Sequence, residues 1–177
     1  MSRPRFHLAF PVHDLAAARA FYGGVLGCPE GRSSDHWVDF DLYGHQIVAH
    51  LSPDETGHRA TSAVDGHEVP VRHFGLLLDI PRWEQLVARL RAAGTAWVIE
   101  PYVRFAGGPG EQHTCFLLDP SGNALEFKAF ADERAIFATA PLADAARATP
   151  ATPPPPTDAD AAEPAGTPAG PHIAGRG

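Results

Sequence analysis

Residues 117–127, Leu-Leu-Asp-Pro-Ser-Gly-Asn-Ala-Leu-Glu-Phe, decide how this chain folds. Asp119-Pro120-Ser121-Gly122 has the composition of a tight turn, and Ala124-Leu125-Glu126-Phe127-Lys128-Ala129-Phe130 has that of a strand. Strand side chains alternate between faces, so Leu125, Phe127 and Ala129 share one side and Ala124, Glu126 and Lys128 the other. A carboxylate in the middle of such a run faces either water, as one side of an antiparallel sheet commonly does, or a cleft with work for it.

Working outward, one order of elements is legible twice. Residues 6–12 alternate large apolar with small or polar side chains and read as a strand. Asp14 is a good N-cap for a helix through Leu26, which Gly27 ends. Two or three short strands follow, among them 37–42 and 46–51, with Tyr43-Gly44 turning between them. Residues 53–70 are polar and without periodicity, which predicts an irregular connection. The pattern then restarts with a strand at 72–79, a helix at 83–93 and strands near 96–101, 113–118 and 123–130. The result is a mixed α+β fold of two paired βαβββ modules, about 3–52 and 71–131, linked by 53–70. Overlaying them puts His7 on His73, 66 residues later, and Val48 opposite Glu126. On each histidine's face the next residue is small (Ala9, Gly75), which leaves room there for something larger than a side chain.

From Pro141 the composition changes: residues 141–177 hold nine of the 18 prolines and no aromatic residue. Such a segment buries too little apolar surface to offset its ordering entropy, so a disordered Pro/Ala-rich tail is expected after a folded unit of about 3–140. Net charge is −7, and no Lys/Arg cluster suits a phosphate backbone, which argues against a nucleic-acid partner. No apolar run has the length of a membrane span, and the opening residues lack the apolar core of a signal peptide, so a cytoplasmic location without membrane attachment is expected. Cys28 and Cys115 stand in no metal or redox spacing and read as buried or idle thiols.

The stretches at 6–27, 71–79 and 117–127, with the doubled module, resemble the vicinal oxygen chelate superfamily, which includes glyoxalase I, bleomycin-resistance proteins, fosfomycin-modifying enzymes and extradiol ring-cleaving dioxygenases. That resemblance implies sheets curled into half-barrels with a metal in the cleft between them, held by His7, His73 and Glu126. It also implies a small-molecule substrate and a homodimer. Two imidazoles and one carboxylate leave three positions open on an octahedral ion, a set suited to Fe(II) first and Mn(II) next. An extradiol dioxygenase uses those vacancies for two vicinal oxygens of a catechol-like substrate and for O2.

Val48 stands where glyoxalase I has a fourth ligand, which counts against that chemistry. In extradiol enzymes a histidine near His50 is the acid–base catalyst, and His50 has three roles open to it: that one, a fourth metal ligand, or a strand-end histidine in water. The chain departs from the ring-cleavage pattern at Phe116, where a tyrosine is usual, and at residues 107–109, where a histidine is usual. Ala9 replaces the threonine of fosfomycin-type transferases. An extradiol-like metalloenzyme is therefore the leading expectation. A glyoxalase-type lyase or isomerase comes next, then a ligand-binding protein without catalysis, which an intact set of buried charged ligands disfavours.

Overall fold

The computed structural model describes residues 4–57, 60–64 and 66–139, so the tail expected at 141–177 lies outside the described residues. Ten strands and two main helices are present among those described. In the first module β1 (His7–Val12) is followed by helix α1 (Leu15–Ala18), then by β2 (Glu30–Ser33), β3 (Trp37–Leu42) and β4 (His45–Leu51). The second module repeats this with β7 (His73–Leu78), α2 (Ile80–Ala92), β8 (Trp97–Arg104), β9 (Gln112–Leu118) and β10 (Ala124–Phe130). The sheets are ordered β1-β4-β3-β2 and β7-β10-β9-β8, so the two βαβββ modules have one topology. In each the first strand pairs parallel with the last and forms an edge.

Local chemistry accounts for the helix starts. Asp14 and Asp79 are N-caps whose carboxylates accept from the main-chain N–H three residues on. Pro81 occupies the first turn of α2, where a missing N–H costs nothing. Helix α1 starts at Leu15–Ala18 and widens over Arg19–Val25 into i→i+5 bonding, as Leu26 N–H donates to Phe21 O. Gly23-Gly24 lies in that widened turn, where helix propensity is poor.

The stretch read as an irregular connection contains a hairpin instead. β5 (Thr61–Val64) and β6 (His67–Pro70) pair antiparallel, with Gly66 at φ +79°. The signal was the Asp65-Gly66 dipeptide flanked by residues able to alternate, masked by the many polar side chains around it. A short 3-10 turn at Glu133–Phe137 was also not anticipated.

One apolar core joins the modules. It takes Phe10 and Val12 from β1, Val38, Phe40 and Leu42 from β3, and Ile47 and Ala49 from β4. From the second half come Cys115, Leu117, Leu125, Phe127 and Ala129, with residues of both helices. Phe10 and Phe74 rings meet at 5.1 Å. Because alternate side chains point oppositely, the remaining faces of both sheets are turned away from this core. Those faces carry His7, Val48 and His50 on one sheet and His73, Glu126 and Lys128 on the other.

Polar ties reinforce the joint. Asp119, only 5 % exposed, accepts from Ser121 N–H, Asn123 N–H, the Asn123 side-chain amide and Tyr22 O–H. Asn123 also donates to Pro11 O, and Ser121 Oγ accepts from His13 N–H. Arg89 reaches Leu26 O at 2.7 Å.

Burial also governs the thiols. It pushes Cys28 and Cys115 up from an ordinary 9.0 to about 12, and burial, then the Asp119 charge, raises the Tyr22 phenol. Each group has a folded-state value above its unfolded one. Its stabilising contribution is therefore complete below about pH 9 and falls as pH rises towards about 12, because the unfolded chain ionises first. Denaturant midpoints should hold up to pH 9 and decline beyond it, and a thiol reagent at pH 8 should label neither cysteine until the chain unfolds. Rapid labelling of the native protein would contradict this.

Candidate metal centre

The register of the parallel pairs superposes the modules residue by residue. Ala9 lies opposite Val48 as Gly75 lies opposite Glu126, and His50 corresponds to Lys128. The module carrying Glu126 thus has a carboxylate where the other has an apolar Val48, which is 5 % exposed.

His73 and Glu126 are brought together. Nε2 of His73 lies 3.3 Å from Glu126 Oε2, and Thr114 Oγ1 donates to Oε1 at 3.0 Å. His73 Nδ1 is 2.7 Å from Pro70 O. A carbonyl only accepts, so Nδ1–H is the donor to it, and Nε2 is the nitrogen that faces the carboxylate. A proton on Nε2, or a metal ion set against both atoms, satisfies that pairing. Phe116, which registers opposite Glu126, packs edge-on against the His73 ring at 5.1 Å. The ring-cleavage tyrosine is thus replaced by a buried side chain that fixes the imidazole's tilt. His113 is on the other face of β9, edge-on to Trp83.

His7 is not part of this pair. It lies on the outer face of the first sheet, with Nδ1 2.8 Å from Gln46 Oε1. The Gln46 amide donates to Asp39 Oδ2 at 3.0 Å, so its oxygen is the acceptor and His7 Nδ1 the donor. Asp39, 6 % exposed, is held in turn by Arg32 at 3.3 Å. Sequence reasoning missed this chain from Arg32 to His7, because Asp39 and Gln46 look like solvated strand residues until the register is known. His7, like His73, donates through Nδ1–H to an oxygen, and the residue is exposed. That is the arrangement in which a histidine ligates through Nε2 while its other nitrogen is oriented by an outer partner.

Among the described residues no three His, Cys, Asp or Glu side chains are grouped so as to hold a metal ion. One apolar core lies between the two modules, and the face with His7 and the face with His73 and Glu126 are both turned away from it. The donor types fit a divalent metal, and His73 with Glu126 brings an imidazole and a carboxylate to one place, with His7 apart from them. His50 is exposed on the His7 face, opposite Pro11 and Trp37. Elsewhere, His13 bonds Ser121 Oγ, and His45 Nδ1 accepts from Phe6 N–H.

Gly75 has a different reason to be small from the one its position suggested. A Cβ there would run into the Glu126 main chain, with the carbonyl carbon at 2.7 Å and the nitrogen at 3.2 Å. The space is already used by the strand that carries the carboxylate. Gly75→Ala should therefore cost about 1–3 kcal/mol, as overpacking against a backbone does. Equilibrium denaturation checks this, and an unchanged midpoint would show that β7 and β10 can part at no cost.

The family described as the Glyoxalase/Bleomycin resistance protein/Dioxygenase superfamily matches residues 6–127. No curated protein matches the chain. Among solved structures, a glyoxalase/bleomycin resistance protein/dioxygenase from Alicyclobacillus acidocaldarius is 33 % identical, with TM-score 0.65, covering 76 % of this chain and 96 % of that one. A genomically encoded fosfomycin resistance protein from Listeria monocytogenes shares the fold at 17 % identity and TM-score 0.57, over 76 % and 98 % of the two chains. A lactoylglutathione lyase from Agrobacterium tumefaciens does so at 20 % and 0.52, over 72 % and 94 %.

Proposed function

Because the chain belongs to the glyoxalase/bleomycin resistance protein/dioxygenase superfamily, we propose that it is a divalent-metal enzyme acting on a small substrate with vicinal oxygens, with extradiol-type cleavage of a catechol-like compound by O2 as its reaction. The observation that carries this reading is the pairing of His73 Nε2 with Glu126 Oε2 while each histidine keeps Nδ1 occupied by an acceptor. His73 and Glu126 hold the metal from one chain, and His7 reaches it from a second copy. Self-association is supported by the placement of the ligands. Strands β1 and β7 are sheet edges, and Phe6, Val71 and Leu77, at or beside them, are 58 %, 56 % and 49 % exposed. A two-fold dimer that covers these residues completes two equivalent sites.

Bound there, Fe(II) or Mn(II) supplies Lewis acidity and a template for substrate and O2. The chain's own residues do the rest. Gln46 and Pro70 hold the imidazoles in the ligating tautomer, and Thr114 fixes the carboxylate's rotation. Val69, Ile99 and Phe116 form a small apolar cluster beside Glu126 that limits water. His50, beyond Val48 on the His7 face, takes a hydroxyl proton from the substrate and returns it later, since an imidazole nitrogen can both accept and give back a proton.

The test is anaerobic purification, metal analysis, loading with Fe(II), and exposure to O2 with a panel of catechols. Oxygen uptake with a ring-opened product is the expected result, and His50→Ala should abolish it without releasing metal. Metal binding without oxygen uptake, but with turnover of a glutathione hemithioacetal, would replace this reaction with the glyoxalase type.

A further inference from the structure

Glu126 has one more neighbour than a ligand needs. Lys128, two residues on along β10 and on the same face, places Nζ 3.0 Å from Glu126 Oε2, the oxygen that also faces His73. Its side chain is 29 % exposed and that of Glu126 is 11 % exposed, so the ammonium lies in the mouth of the site and does not trail into solvent. The register sets Lys128 opposite Leu77 and Thr114, which leaves it no acid but Glu126 on the neighbouring strands. In the first module the corresponding position is His50, so the lysine is an asymmetric feature of the half that carries the carboxylate.

Without a metal, ammonium and carboxylate cancel. A divalent cation sharing Oε2 changes the balance: three positive charges then stand against one carboxylate, a surplus of two in a partly desolvated pocket. Such a surplus is unfavourable unless the ligand brings compensating charge. Resting on the metal site proposed above, we propose that Lys128 determines specificity for a dianionic substrate: once the metal takes the carboxylate, the freed ammonium binds an anionic oxygen beside the coordinated ones. The substrate class is an O,O-chelating compound with two negative charges, such as a catechol bearing a carboxylate or a dicarboxylate. Neutral or singly charged chelators are bound less well.

The assignment has two consequences of opposite sign, which a purely structural lysine would not produce. Full-length protein is titrated with Mn(II), followed by electron paramagnetic resonance, and the loaded protein with oxalate as dianion or maltol as monoanion. Lys128→Met should bind Mn(II) about tenfold more tightly, because no ammonium has to be displaced. It should bind oxalate about tenfold more weakly, the loss of one charge-assisted hydrogen bond, with little change for maltol. Lys128→Arg should keep the wild-type preference, and Lys128→Gln repeats the comparison should methionine disturb the strand. Equal effects on oxalate and maltol, or none, overturn the role of Lys128 with the metal site intact. Failure of wild-type protein to take up Mn(II) overturns the metal site and this inference together.

Discussion

Glu126→Gln should lower the affinity of the full-length chain for Mn(II) by more than about 100-fold, beyond the 10–100-fold that follows loss of an outer partner. The amide keeps the size of the carboxylate and can still accept from Thr114, so β10 should pair as before. It brings a neutral oxygen and a second donor to a place where the metal needs an anion, and it leaves Lys128 unmatched. Stability should change by no more than about 1 kcal/mol, since the lost ion pair involves a partly exposed lysine. Metal titration and denaturation on the same preparation separate the two effects. Unaltered metal affinity would remove Glu126 from the ligand set, and a large loss of stability would make its role structural.

Asp119→Ala should be the most destabilising single change outside the apolar core, at about 3–5 kcal/mol. Its carboxylate accepts four hydrogen bonds in a buried setting, including the one from Tyr22 across the joint between modules. Removing it strands those donors away from water, at about 1–3 kcal/mol for each one not re-satisfied. It also removes the brace of the turn that leads into β10, so loss of metal affinity should accompany the loss of stability. Asp119→Asn, which keeps one acceptor, should cost less. Urea denaturation measures both, and a variant as stable as wild type would mean that water replaces the carboxylate at that joint.

These two residues show what was legible in the sequence. Glu126 stood out because alternation places it on a face apart from Leu125 and Phe127, and the doubled order of elements located His7 and His73 at matching positions. Both features depend on periods of the chain, which pattern reading detects. Asp119 has the look of a turn residue, which it is, but its bond to Tyr22 spans 97 residues and follows from packing alone. The outward direction of the faces that carry His7 and Glu126 has the same origin. Alternation shows that His7 and Phe10 lie on opposite sides of β1. It does not tell which side meets the other module, and the apolar side does. The hairpin at 61–70 was hidden by polar composition, and the restraint on Gly75 by the absence of any sign, in one sequence, of which strand would lie beside it.

The central claim is that a metal is held by His73 and Glu126 of one chain with His7 of another, and mixing two damaged chains tests it most directly. His7→Ala and Glu126→Ala proteins, purified separately, should each fail to bind Mn(II) tightly. After unfolding and refolding together, about one quarter of the wild-type capacity should return, the statistical yield when half the dimers are mixed and each has one intact site. No recovery in mixed dimers, or tight binding by a wild-type monomer, would contradict the account.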